Sequence, residues 1–238
     1  MRTHDRLLWF AAVLAIGTYF WKLVSPTLGM FFSPDDLMNL HLAWITPPVK
    51  LVRANVLFFV SGLVERPLAE AWYRVVYGLA GFRPALFHAA LLVILVINIG
   101  LTYGVAARLS GRRDVGLVAA ALGAYSDRLP GLYFNTGYIF DVLCYFFFYS
   151  AFLLYIRVRQ RNRFMVPLEL VACCLFFCLA LGSKEMAITL PVFLLAYELL
   201  YHRPERWRSA DPKQAFPVFC TGLIALVFSI GRSLAETL

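Results

Sequence analysis

Two neighbouring carboxylates, Asp35 and Asp36, follow the dipeptide Ser33-Pro34 and precede His41. A carboxylate at such a place can act as a general base toward a hydroxyl group, or it can hold a divalent metal ion. An aspartate after Ser-Pro is also typical of a helix N-terminus, where it accepts backbone N–H groups. The dipeptide alone leaves the catalytic and the structural interpretation open.

Three basic side chains are candidates for binding an anion such as phosphate. Arg66 and Arg74 lie two turns apart on a predicted helix, with Glu70 between them, and Lys184 stands beside Glu185 between two apolar segments. Arginine binds phosphate through charge-assisted hydrogen bonds. The structural alternatives are arginines that snorkel at a membrane surface and a solvated Lys184-Glu185 ion pair in a tight turn.

The remaining titratable groups favour structural roles. Asp141 lies in an apolar segment, where an acid costs about 2.5–3.5 kcal/mol to insert, so we expect a partner or a wet cavity for it. His41 and His88 are more typical of helix packing than of ligand binding. The cysteines lack the spacing of metal ligands, which favours reduced residues in helix packing over a disulfide framework or a zinc site. They are Cys144, Cys173, Cys174, Cys178 and Cys220.

The elements that must position these groups are membrane helices. Of the 238 residues, 61% are hydrophobic and 15% are charged, which is too apolar for one soluble core. The apolar residues come in blocks near the ~20 residues that cross a hydrocarbon core, and such segments must be helical. We predict one all-α transmembrane domain over 1–238, a polytopic helical bundle of about seven spans. The predicted spans are 7–24, 84–107, 115–125, 138–156, 164–181, 186–201 and 215–230.

The net charge of +8 comes from arginine clusters between the apolar blocks. This distribution is typical of cytoplasmic loops and argues against nucleic-acid binding. It predicts a multi-pass protein of the inner (cytoplasmic) membrane with a cytoplasmic N-terminus. The segment 115–125 covers only about 16 Å as a helix. It is kept as a short or partly re-entrant crossing because the arginines of 157–163 would otherwise lie outside.

The long segment 25–83 is predicted to lie on the external side with interfacial helices. After Pro67, apolar residues recur at helical spacing on one face, which indicates a helix lying along the membrane surface with its apolar side toward lipid. These residues are Leu68, Trp72, Val75, Val76 and Leu79. The apolar stretch 56–64 is too short to span the membrane and is interpreted as a second such helix.

Three blocks in a fixed order carry a family resemblance. The stretch 66–88 reads as an "RPL … G … P … FH" block, the acidic pair 35–36 stands before it, and 183–185 opens an "SKE … P" block. Together they resemble the membrane O-mannosyltransferases that carry tetratricopeptide repeats, and the bacterial relatives of that family. The resemblance runs over about 30–202.

The resemblance implies a glycosyltransferase of the GT-C class. Such an enzyme moves a sugar from a polyprenyl-phosphate carrier in the lipid to a protein or glycan acceptor on the external face. It implies Asp35 or Asp36 as general base, and Arg66 with Lys184 as partners of the carrier phosphate. The family has a His-Pro and a glutamate after its third span, where this chain offers Asp127 as the acid.

A non-enzymatic membrane protein that binds a lipid-linked sugar is the alternative: a transporter, a flippase or a scaffold. A transporter is expected to carry polar or broken helices at mid-membrane in both halves. Here the polar groups favour one face, with Asp141 as the exception, which favours the enzyme. Relatives continue beyond seven spans, so an inactive part of such an enzyme is a further alternative.

Overall fold

The computed structural model describes residues 3–57, 66–125, 130–202 and 212–236, and every regular element in these ranges is helical. Short 3-10 segments at Ser25–Gly29, Thr136–Tyr138 and Glu185–Thr189 join some of the α-helices. The α-helices in chain order are α1 (Thr3–Val24), α2 (Pro34–Ile45), α3 (Pro48–Val56), α4 (Pro67–Ala80), α5 (Pro84–Ser110), α6 (Arg113–Tyr125), α7 (Pro130–Phe134), α8 (Ile139–Arg159), α9 (Pro167–Ser183), α10 (Leu190–Tyr201) and α11 (Pro212–Glu236).

Within the described residues, four helical segments are long and apolar enough to cross a membrane. They are Leu7–Gly29, Pro84–Ser110, Thr136–Arg159 and Ala215–Ser233. The first and the last bury only 11% and 17% of their most apolar stretch inside the protein. Lipid accommodates such exposed apolar helices, whereas water would not. The chain is therefore a helical membrane protein.

The other predicted spans correspond to shorter helices. Helices α6, α9 and α10 have 13, 17 and 12 residues, which is about 20, 26 and 18 Å at 1.5 Å per residue. Helices α5 and α8 run past their predicted ends at 107 and 156, because arginine is a good helix former and suits a helix C-terminus. Helix α10 begins later than the predicted 186, after the 3-10 segment.

Helices α5 and α8 run in the same direction. The Asn98 side-chain amide, at the middle of α5, donates to the carbonyl of Val142 near the beginning of α8 at 3.0 Å. Near the ends of both helices, Arg108 donates to the Gln160 side chain at 3.0 Å. Between them, Gly111 ends α5 with a positive φ of 67°, which lets the chain turn back into α6.

Helices α9 and α10 extend this packing beside α8. Lys184, which follows α9, pairs with Asp141 at the beginning of α8, so α9 is antiparallel to α8. Arg159 at the end of α8 pairs with Glu198 near the end of α10 at 2.7 Å, so α10 is parallel to α8. Asp141 and Lys184 therefore lie at one end of the helices, and the arginines that end α5 and α8 lie at the opposite end.

The described part of the segment between α1 and α5 contains three short α-helices, which lie at the first of these ends. The Arg74 guanidinium on α4 donates to the carbonyls of Ala43 and Thr46 at the end of α2, at 2.9 and 2.6 Å. Asn55 on α3 donates to the Pro67 carbonyl at 3.1 Å. The helix predicted after Pro67 is present as α4, but part of the face predicted to point toward lipid belongs to the core: Val76 is buried, and Leu68 and Trp72 pack against it. The helix predicted at 56–64 lies almost wholly outside the described residues, and α3 ends at its first residue.

Candidate functional site

Asp36 anchors the beginning of α2. Its carboxylate accepts the backbone N–H of Ser33 at 2.8 Å, and the Ser33 hydroxyl accepts the N–H of Asp36 at 3.2 Å, which is a capping box. Asp36 is fully buried and also accepts the hydroxyls of Tyr73 and Thr136 at 3.3 and 2.6 Å. Burial raises the pKa of Tyr73, so its hydroxyl stays protonated and donates. The helix N-terminus interpretation therefore describes Asp36.

Asp35 is exposed and has a looser environment. The Asn135 side-chain amide donates to its carboxylate at 3.4 Å, while the Asn135 oxygen accepts the Ser33 hydroxyl at 3.1 Å and the Gly137 N–H at 2.7 Å. A Cβ at Gly137 would lie 2.7 Å from the Asn135 side-chain oxygen and 3.2 Å from the Cβ of Asp35, so glycine permits this close approach. Asp35 keeps carboxylate surface that an external hydroxyl can reach.

The segment 135–137 was not singled out from the sequence. Asn135 faces Asp35 and Thr136 faces Asp36, so two dipeptides a hundred residues apart meet in register. The available signal was an Asn-Thr-Gly turn directly before a membrane helix, because asparagine side chains bond the backbone two residues on. That signal does not indicate that the turn contacts Asp35 and Asp36.

Two ion pairs lie at the beginning of α8. Lys184 pairs closely with Asp141, and their side chains are 28% and 32% exposed. Arg66 Nε lies 3.5 Å from Glu185 Oε1, with 35% and 47% of the side chains exposed. The Arg66 guanidinium also lies over the Phe140 ring, 5.2 Å from its centroid. Four charged residues from three separate parts of the chain thus meet in one cluster.

The acidic pair and this charged cluster are joined through one short segment. Asn135 contacts Asp35, and Asp141 contacts Lys184, six residues further along. At 1.5–2.0 Å per residue for α and 3-10 geometry, the two contacts lie about 10 Å apart along the axis.

A largely apolar cavity of about 440 Å³ extends from the charged cluster between α1, α5, α6, α8 and α10. Asp141 lines it, together with Tyr145 and Tyr149, whose rings stack at 4.1 Å. The Tyr145 hydroxyl forms a hydrogen bond of 2.7 Å with Thr102. The volume lies in the range of small-molecule sites, and the apolar walls suit a hydrocarbon chain.

The other candidate residues lie apart from this cluster or support the fold. Arg74 caps α2, as described above, and Glu70 accepts the Thr46 hydroxyl at 3.4 Å. Burial raises the pKa of Glu70, against smaller opposing effects of Thr46 and Lys50. His41 is exposed on α2, and His88 is fully buried in α5.

Two further expectations concern acids and cysteines. Asp127 lies outside the described residues. The five cysteines are free thiols that are buried or half-buried within helices, in agreement with the packing role expected from the sequence. Among the described residues, no three side chains of His, Cys, Asp or Glu come close enough together to form a metal site.

Comparisons of the chain with protein-family models, with curated proteins and with solved structures found no match. The class of the protein therefore rests on its fold, which is that of a helical membrane protein. Its distinguishing feature is a carboxylate, two ion pairs and an apolar cavity at one end of the helices.

Proposed function

We propose that the chain is a membrane glycosyltransferase that moves a sugar from a polyprenyl-phosphate carrier to an acceptor hydroxyl. One observation carries the proposal: Asp141 lines an apolar cavity between the helices and pairs with Lys184, and the Arg66–Glu185 pair lies beside it. The exposed carboxylate Asp35 contacts Asn135, six residues before Asp141. A lipid phosphate needs cations for its head and apolar walls for its tail, next to each other. The family resemblance of the blocks around 35–36, 66–88 and 183–185 supports the same activity.

The proposal includes a seven-span topology, with the site on the external face. It is supported by the alternating directions of α8, α9 and α10 and by the arginines at the opposite end. In a background without the native cysteines, Asp114→Cys and Glu185→Cys test it. An impermeant maleimide should label the second from outside intact cells and the first only after permeabilisation. Labelling of both from one side would refute the topology.

The donor is proposed to bind with its phosphate at Lys184 and Arg66. Both cations are partly exposed and hold one carboxylate each. The tail would enter the cavity beside Asp141, and the sugar would lie on the side of Asp35, whose contact with Asn135 is about 10 Å along the chain from the Asp141–Lys184 pair. Arginine and lysine in a water-poor setting stabilise the charge that develops on a departing phosphate.

The proposed reaction is a direct displacement with one base. Asp35 takes the proton of the acceptor hydroxyl, whose oxygen attacks the anomeric carbon as the bond from that carbon to the phosphate oxygen breaks. The phosphate leaves on the side of Lys184 and Arg66, and the configuration inverts. Asp36 is unsuited to the role, because it is fully buried and accepts three hydrogen bonds from the protein.

Transfer of radiolabelled sugar tests the proposal on the full chain in lipid nanodiscs. Asp35→Asn should abolish transfer while it leaves donor binding and the melting temperature unchanged. Asp114→Asn is the matched control, since Asp114 is an exposed carboxylate with an arginine partner, Arg112, at the other end of the helices. Lys184→Ala and Arg66→Ala should raise the KM for donor.

Two results would contradict the assignment in different ways. Full transfer by Asp35→Asn would exclude this carboxylate as the base. Donor binding without transfer to any acceptor by the wild type would favour the alternative of a lipid-sugar binding protein, for which the cavity and the two cations suffice without chemistry.

A further inference from the structure

The charged cluster at the beginning of α8 contains equal numbers of cations and anions. Lys184 and Glu185 are consecutive, and Arg66 contacts both Glu185 and Phe140, the neighbour of Asp141. Consecutive Cα atoms are about 3.8 Å apart, so chain connectivity holds all four charges in one small region. The cluster is therefore neutral as a whole, unlike a site built for a purely anionic head group.

The two ion pairs differ in tightness. Lys184 and Asp141 form a close hydrogen-bonded pair, and Asp141 lines the apolar cavity. Arg66 Nε lies 3.5 Å from Glu185, beyond the 2.7–2.9 Å of a charge-assisted hydrogen bond, and this nitrogen is buried without a hydrogen bond. The Arg66–Glu185 contact is thus the one that opens more easily when a ligand enters.

Opening that pair has a consequence for the ligand. A phosphate that draws Arg66 toward Lys184 leaves Glu185 as a carboxylate without its cation, beside a second negative charge on the ligand. Glu185 has the most exposed side chain of the four charged residues, so it is the one most open to a group on the water side of the head group. A positive charge at that position would replace Arg66 as its partner.

We infer that Glu185 selects a donor whose head group carries an amine: a lipid phosphate linked to an amino sugar. The inference rests on the proposed function and names its substrate class. The phosphate is shared by Arg66 and Lys184, and the ammonium group of the sugar pairs with Glu185. Asp141 keeps its contact with Lys184 and has no part in the selection.

The test measures binding, not transfer, to the purified full chain in nanodiscs of phosphatidylcholine and phosphatidylglycerol, which offer no primary amine. The probes are one short isoprenyl phosphate linked either to glucosamine or to glucose. The wild type should bind the glucosamine lipid about fivefold more tightly, as expected for a half-exposed charge pair. Glu185→Gln should remove this preference, and Asp114→Asn, which neutralises an exposed ion-paired carboxylate at the other end of the helices, should retain it.

The outcomes separate this inference from the proposed function. Equal binding of both lipids by the wild type overturns the amine preference alone and leaves the donor site standing. Binding of neither lipid overturns both. An unchanged preference in Glu185→Gln, with a melting temperature equal to the wild type, overturns the assignment to Glu185.

Discussion

Replacement of Asp36 by alanine should destabilise the protein by about 4 kcal/mol. The change removes the acceptor of three donors: the Ser33 N–H and the hydroxyls of Tyr73 and Thr136. The two hydroxyls are 3.2 Å apart and can still bond each other, so one hydroxyl proton and one amide lose their partner. An unsatisfied buried donor costs about 1–3 kcal/mol, and two of them give the stated value.

Asparagine at the same position should cost only about 1 kcal/mol. Its amide oxygen can still accept the Ser33 N–H, and its NH2 group can donate to the Tyr73 and Thr136 oxygens, because hydroxyls rotate to accept. Asp35→Asn is the matched comparison, since this neighbouring carboxylate is exposed and its removal should stay within about 0.5 kcal/mol.

Thermal and denaturant unfolding of the three variants in one detergent provides the measurement. We expect the order Asp35→Asn, Asp36→Asn, Asp36→Ala from most to least stable. Transfer activity should be lost most completely in Asp35→Asn, although this variant should be the most stable of the three. A stability of Asp36→Ala equal to that of Asp35→Asn would refute the anchoring role of Asp36, and with it the choice of Asp35 as base.

Three further predictions concern packing, positioning and pH. Glu198→Leu should cost about 3–5 kcal/mol because it leaves buried Arg159 unpaired, whereas the double replacement Arg159→Met/Glu198→Leu should recover most of the loss in a double-mutant cycle of melting temperatures. Gly137→Ala should lower the transfer rate, because its Cβ would lie 2.7 Å from the side-chain oxygen of Asn135, which contacts Asp35, and 3.2 Å from the Cβ of Asp35; an unchanged rate would contradict this. The raised pKa of Glu70 means that the folded state holds this proton more tightly, so stability falls as pH rises from the ordinary glutamate range to the raised value. Glu70→Gln should therefore melt higher than the wild type at pH 7 and equally at acid pH, and a constant difference would exclude the effect.

Much of the fold could be predicted from local sequence signals. Apolar blocks of membrane length located α1, α5, α8 and α11, and the proline at 67 located the beginning of α4. No helix was expected at 48–56. Helix α3 has only nine residues, two of them lysine or arginine, so its apolar residues cover too few turns to show a helical period. Helix ends were misplaced where a helix continues through arginines.

The candidate site could be predicted only in part. Asp35, Arg66, Lys184 and Glu185 were found from residue type and resemblance, but their partners were not. Arg74 was expected beside a phosphate, and the structure shows its guanidinium on the carbonyls that end α2. The role of Arg74 depends on where α2 lies, and the spacing of residues along α4 does not give that position.

The sequence by itself determined that this chain is a helical membrane protein, because hydrophobic length and helix capping are properties of neighbouring residues. The tertiary structure decided which of two adjacent aspartates is buried, since Tyr73 arrives from α4 and Thr136 from the segment before α8. It also decided that Asp141 pairs with Lys184 across 43 residues of chain. Partners of this kind depend on the register between packed helices, and that register is set by the whole bundle.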